Sequence, residues 1–278
     1  MKQSSGCAAL LLVFGLGLGG CEQRAETASR ETAQKLVLTG SSTIAPLVAE
    51  IAKRFEQQNP GVRVDVQTGG SSRGIADARS GLANIGMVSR ALKPDEGDLL
   101  AHPIARDGIC LIVHASNPVA ELAADQVATI YKGKIVNWRE LGGRDAPITV
   151  VNKAEGRSTL ELFLSHFKLN AEEVKASVVI GDNEQGVKTV AGNPDAIGYV
   201  SIGSAEYAAI HGVPLKLLPL GNVAPSTQAV RDGTFPLSRP LNLVTRRPPQ
   251  ALAQAFIEYA QSPAVRDGVE SLYFVPVR

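Results

Sequence analysis

Three short turns rich in glycine, serine and threonine hold the residues best suited to chemistry in this chain: Thr39-Gly40-Ser41-Ser42-Thr43, Gly69-Gly70-Ser71-Ser72-Arg73-Gly74 and Gly156-Arg157-Ser158-Thr159. Each follows a β-like stretch and opens a helical one. A helix N-terminus leaves its first backbone N–H groups unpaired and partly positive, so it attracts small anions, and Ser or Thr there adds hydroxyl donors. A single Ser or Thr before a helix is ordinarily only an N-cap. Consecutive hydroxyls at Ser41, Ser42 and Thr43 exceed that need and read as ligand donors, as do Ser71 and Ser72 in the second turn.

The third turn is cationic. Lys153 to Thr159 places two cations and two hydroxyls in one strand-to-helix turn. Cations are unfavourable at a helix N-terminus unless an anion sits among them, so Lys153, Arg157, Ser158 and Thr159 are read as anion contacts, with Glu155 able to neutralise one charge. Ser89-Arg90 follows another short strand, and the planar Arg90 fork suits phosphate-like oxygens; alternatively Arg90 is a surface charge. Asp107, in Arg106-Asp107-Gly108, pairs with Arg106, caps a turn, or accepts a hydrogen bond from a protonated oxyanion. The last role would favour phosphate over fully ionised sulfate.

Gly70-x-Ser72-x-Gly74 also matches a nucleophile elbow, the strand-to-helix turn that exposes a catalytic serine. A hydrolase needs a histidine base and an acid after that serine. His102, His114, His166 and His211 follow, none with a distinctive acid spacing, so anion capture rather than catalysis is the expectation.

The elements that must position these turns alternate. Residues 35–38 read as a strand; Ile44, Leu47, Val48, Ile51 and Phe55 recur at helical spacing, with Pro46 in the first turn. Asn59-Pro60-Gly61 stops that helix and 62–66 alternates as a strand. A helix from about 75 to 80, a strand over 83–88, a long strand over 104–114 and a helix over 125–131 follow. Strand 148–151, helix 159–167, strand 196–200, an extended stretch over 236–244 and a terminal helix over 251–261 complete the pattern. This order predicts an α/β fold with a parallel sheet covered by helices, ligands gathering beyond the carboxyl ends of the strands. The runs at 104–114 and 236–244 read as paired crossings between two lobes, 35–113 plus 235–278 and 114–234, with capture between them by hinge closure.

The chain has 278 residues, 44% of them hydrophobic, with 27 Gly, 16 Pro and a formal net charge of +1. That balance gives no electrostatic footprint for nucleic acid, and the basic and aromatic run 131–138 reads as a packed surface turn. Residues 1–21 read as a leader: Lys2, the apolar stretch 8–18, and Leu18-Gly19-Gly20-Cys21, which is similar to a lipobox with Cys21 as the lipidated residue. An ordinary secretory signal is the alternative. Residues 22–34 read as a flexible tether. Cys110 is then the only cysteine left without a role in export, which excludes an internal disulfide or a cysteine-based metal site, and its apolar neighbours predict burial.

Seven segments in order resemble the phosphate-binding proteins of phosphate ABC importers. They are the runs 40–47, 69–75, 85–90, 105–109, 130–138, 196–201 and 236–241, and the similarity covers nearly all of residues 36–278. The resemblance implies a periplasmic-binding-protein fold of two α/β lobes joined by a hinge, with phosphate in the cleft and no cofactor. It implies phosphate contacts from Thr43 and the Ile44 amide, from Ser71, and from Arg157, Ser158 and Thr159, with Ser42 and Ser72 adjacent. It also implies a membrane permease as partner, a phosphate sensor without transport partners being the alternative; with the leader, the protein is expected to be an exported monomer, lipid-anchored on the periplasmic side or cell surface. The third cradle departs from the family's frequent Gly-Ser-Gly-Thr, with Lys153 at an earlier Arg position. Ser89-Arg90 stands where some members have Ser-Asp, which leaves Asp107 as the expected reader of the phosphate proton.

Overall fold

The computed structural model describes residues 34–277; the leader 1–21 with Cys21 and the tether before Gln34 lie outside the described residues. β1 (Gln34–Gly40), α1 (Ala45–Gln58), β2 (Val62–Thr68), α2 (Ser71–Ser80) and β3 (Ile85–Val88) come first. The apolar spacing of α1 buries Leu47, Val48, Ile51 and Phe55 on one face. Helix α2 begins at Ser71 rather than near Ile75. Gly70, at φ 95°, lets the chain turn directly off β2, so Ser71 and Ser72 belong to the first helical turn.

β4 (Leu99–His114), α3 (Ala124–Tyr131), β5 (Thr149–Lys153), α4 (Ser158–Phe167), β6 (Val178–Ile180), α5 (Asn183–Ala191), β7 (Ala196–Ser201), α6 (Ile202–Ile210), β8 (Leu215–Leu218) and α7 (Thr227–Arg231) form the middle of the chain. β9 (Ser238–Arg246), α8 (Ala251–Ala260), α9 (Arg266–Ser271) and β10 (Val275–Pro276) close it. No described helix is long and apolar enough to cross a membrane.

The strands lie in the order β2-β1-β3-β9-β4-β7-β5-β6. The sheet is mixed, which corrects the parallel expectation. β1 pairs in parallel with β2 and β3, and β5 with β6 and β7, but β9 returns from late in the chain to lie antiparallel between β3 and β4. β4 is also antiparallel to β7.

Two main hydrophobic cores flank this centre. One gathers Leu36, Leu38, Ile51, Phe55, Leu241, Leu243 and Phe256. The other gathers Ile109 to Val113, Tyr131, Trp138, Phe163 and Tyr199, with the Phe163 and Tyr199 rings stacked at 3.8 Å. β4 gives Ile104 and Ala105 to the first core and Ile109 to Val113 to the second. Residues 109–113, expected in the first lobe, therefore pack in the second core. The crossing falls at Asp107, which lies directly opposite Arg239 of β9 in the ladder. Cys110 is buried, and burial pushes its thiol well above the ordinary range.

Candidate anion site

The turns after β1, β2, β3, β5 and β6 meet at one small cavity of about 10 Å³, lined by Ser41, Ser42, Thr43, Gly70, Ser71, Ser89, Lys153, Arg157, Ser158, Thr159, Gly181 and Asn183. Organic ligands occupy pockets of roughly 300–1,000 Å³, so this space is far too small for one. A wider apolar groove of about 1,000 Å³ runs between α1 and α5–α6 and shares Ser42, Thr43 and Asn183 with the cavity.

The local backbone explains why donors converge. Helices α1, α2 and α4 begin without a side-chain cap despite their wealth of hydroxyls, so no side chain of their own neutralises the partial positive charge at these helix starts, although the Ala45 and Ser72 amides donate to the Ser41 and Gly156 carbonyls. Ser158 Oγ and Arg157 Nε are buried with no hydrogen-bond partner. Each buried orphan costs about 1–3 kcal/mol, a cost an oxyanion would remove.

The hydroxyls are tied to one another. Ser41 Oγ donates to Ser89 Oγ at 3.0 Å, and Ser89 N donates to Ser71 Oγ at 3.1 Å. Asn183 Nδ2 donates to Thr43 Oγ1 at 3.3 Å, and Arg157 Nη1 lies 3.4 Å from Ser42 Oγ. Lys153 Nζ donates to the Asp182 carbonyl at 2.6 Å and to Asn183 Oδ1 at 3.1 Å. Burial, with the Arg239 and Arg157 charges, pushes Lys153 down to about 7, against the pull of Asp182.

Arg239 organises the floor. Its Nε and Nη2 donate to Asp107 Oδ2 at 3.1 and 2.8 Å, and its Nη1 donates to Thr159 Oγ1 at 2.9 Å. Longer contacts of 3.5 Å reach Ser89 and Thr43. Asp107 Oδ1 accepts from Ser201 Oγ at 2.8 Å.

Of the residues expected from the sequence, Ser42, Thr43, Ser71, Ser89, Lys153, Arg157, Ser158 and Thr159 line the cavity. Ile44 is buried behind them at the start of α1. Three others are placed elsewhere. Asp107 does not line the cavity, because its carboxylate is held by Arg239 and Ser201 and has no free oxygen to offer a protonated ligand. Arg90 turns away to form a two-pronged pair with Glu96 at 2.7 and 2.8 Å. Burial works against both charges there, yet the pairing prevails, raising Arg90 and lowering Glu96 from their ordinary values. Ser72 points out of the cavity and donates to Glu161 Oε1 at 3.2 Å. No histidine is hydrogen-bonded to it among the described residues.

Sequence reasoning missed Gly181, Asn183 and Arg239. Asn183 follows β6 and opens α5, so it is a further strand-to-helix turn, hidden because β6 is only three residues long. The sequence signal for Arg239 was a charge just before the mostly apolar strand run 240–244.

A family model described as a PBP superfamily domain matches residues 25–264. The chain is 27% identical over 268 residues to the phosphate-binding protein PstS of Bacillus subtilis, covering 94% of this chain and 87% of that relative. A Clostridium perfringens structure assigned to a phosphate ABC transporter substrate-binding protein, with bound phosphate, is 32% identical with a TM-score of 0.80, covering 88% of this chain and 100% of that one. An ABC-type phosphate transport receptor from Vibrio cholerae is 28% identical with a TM-score of 0.74, covering 87% and 100%.

Proposed function

We propose the function from the premise that this chain belongs to the PBP superfamily and, within it, to the substrate-binding proteins of phosphate ABC transporters: it captures inorganic phosphate in the small cavity and hands it to a membrane permease. The observation that carries this reading is the convergence of helix N-termini without side-chain caps, hydroxyls and the cations Lys153 and Arg157 on one cavity too small for an organic ligand. Phosphate leaves as it arrived, so the protein is a binder and not an enzyme. The two cores support a two-lobed body, close to 35–113 plus 235–278 and 114–234, whose strands cross near Asp107 and Arg239 and whose closure clamps the ion. The chain is exported and works as a monomer tethered through lipidated Cys21, on the periplasmic side or cell surface.

Isothermal titration of the purified chain tests this. Phosphate is expected to bind at one site with roughly micromolar or tighter affinity. No heat with phosphate beside clear heat with sulfate or molybdate would refute the phosphate assignment.

Lys153 gives a pH signature. In the free protein it loses its proton as pH rises through about 7; a bound anion favours the protonated form and raises that value. Binding therefore takes up protons, and Lys153 contributes most below neutral pH. The affinity ratio of wild type to Lys153→Met is expected to shrink as pH rises from about 6 to about 9. Taking the ratio cancels the titration of phosphate itself. A constant ratio would mean that Lys153 does not interact with the ion.

A further inference from the structure

We propose that Glu161 is a latch that holds the two lobes shut from outside the cavity and sets how long captured phosphate stays; the inference rests on the phosphate-binding reading above. Glu161 lies in the first turn of α4, packed with the second core. Its carboxylate is seated in a socket made entirely by segments of the other lobe. Ser72 Oγ donates to Oε1 at 3.2 Å, Arg90 Nε lies 3.1 Å from Oε2, and Lys93 Nζ lies 2.8 Å from Oε2.

The socket is built in advance of closure. Arg90 Nη1 and Nη2 are fixed on Glu96, and Nη1 also donates to the Ala91 carbonyl at 2.9 Å. That grip fixes the guanidinium beside α4, where Nε and Glu161 Oε2 meet as an ion pair without hydrogen-bond geometry. Glu96 neutralises the Arg90 charge within its own lobe, so neither lobe needs the Glu161 contact to fold. Exposure separates it from an ordinary surface pair: the Arg90 side chain is 5% exposed and that of Glu161 26%, against 49% for Lys93. A carboxylate held partly out of water by a buried guanidinium is screened far less than an exposed pair.

The latch is also coupled mechanically to the ligand contacts. Ser72 adjoins Ser71, Arg90 adjoins Ser89, and Glu161 follows Thr159 on the same helical turn. Ser71, Ser89 and Thr159 line the cavity, so the segments that grip the ion also carry the latch. Beside it, Ser72 N donates across the same seam to the Gly156 carbonyl at 3.2 Å. Opening must break all of these contacts, and truncating one partner of a desolvated charge pair acts mainly on the dissociation rate.

The test is stopped-flow phosphate dissociation from the full chain with Glu161→Gln, Lys93→Met and the double variant. Glu161→Gln is expected to raise the dissociation rate roughly tenfold, with a smaller change in association rate, and Lys93→Met to raise it by less. The double variant is expected to match Glu161→Gln rather than the product of the two, because both remove the same contact. The unfolding midpoint without phosphate should stay at the wild-type value, which a purely structural role would not allow. Dissociation rates within twofold of wild type in both single variants, or a lowered midpoint that accounts for the change, would overturn the latch while leaving phosphate capture intact. A wild-type chain that binds no phosphate would overturn the functional reading and the latch with it.

Discussion

Arg239→Met is expected to lower stability by about 3–5 kcal/mol, the usual consequence of removing one partner of a buried ion pair. The side chains of Arg239 and Asp107 are each 1% exposed, so the variant leaves Asp107 charged, buried and without its counter-ion. Typical domains are stable by only about 5–15 kcal/mol, which makes this one of the most damaging single changes available. Affinity should fall as well, by roughly 10- to 100-fold, because a charge-assisted hydrogen bond worth about 1.5–3 kcal/mol no longer orients Thr159. The double variant Asp107→Asn/Arg239→Met separates the two effects. With neither charge of the pair remaining, it is expected to recover most of the stability and little of the affinity. Urea unfolding and phosphate titration of the variants measure both. Stability within about 1 kcal/mol of wild type for Arg239→Met would show that the pair contributes little.

Gly70→Ala is expected to cost phosphate affinity more than it costs the fold. At φ 95° and ψ 161° the residue occupies a region almost reserved for glycine, with a penalty of about 1–3 kcal/mol for a side chain. An added Cβ would also lie 2.5 Å from the Gly156 carbonyl oxygen and 3.0 Å from Arg157 Cδ, both on the turn that faces it across the seam. The clash acts only when the two turns meet, so it opposes closure. Gly61→Ala is the control: Gly61 has φ +91° but nothing within 4 Å of its would-be Cβ. Both variants should lose comparable stability, while only Gly70→Ala should lose affinity, by roughly 100-fold or more. Equal affinities in the two would mean that this close approach is not needed for binding.

The parts of the fold that were legible in the sequence are those governed by local spacing. The apolar rhythm of Ile44 to Phe55 with Asn59-Pro60-Gly61 behind it marks α1, and the three Gly/Ser/Thr turns do stand at helix starts around one cavity. What was not legible depends on distant partners. Arg239 meets Asp107 across 132 residues, and only the antiparallel register of β4 and β9 brings them together. Arg90 looked free because its position after a strand resembles a ligand contact. Its partner Glu96 is six residues on, beyond the Pro94 turn, and claims the guanidinium first. The mixed sheet was hidden for a related reason: a βαβα rhythm reports neighbours in sequence, whereas β9 inserts between β3 and β4 from far along the chain.

The most direct measurement of the central claim is a crystal structure of the chain grown with phosphate and compared with crystals grown with sulfate alone. The account predicts one phosphate in the cavity, with oxygens within hydrogen-bond distance of Ser158 Oγ, Arg157 and the uncapped amides at the starts of α1 and α4. A cavity without phosphate at saturating concentration, or phosphate bound only elsewhere on the surface, would contradict it.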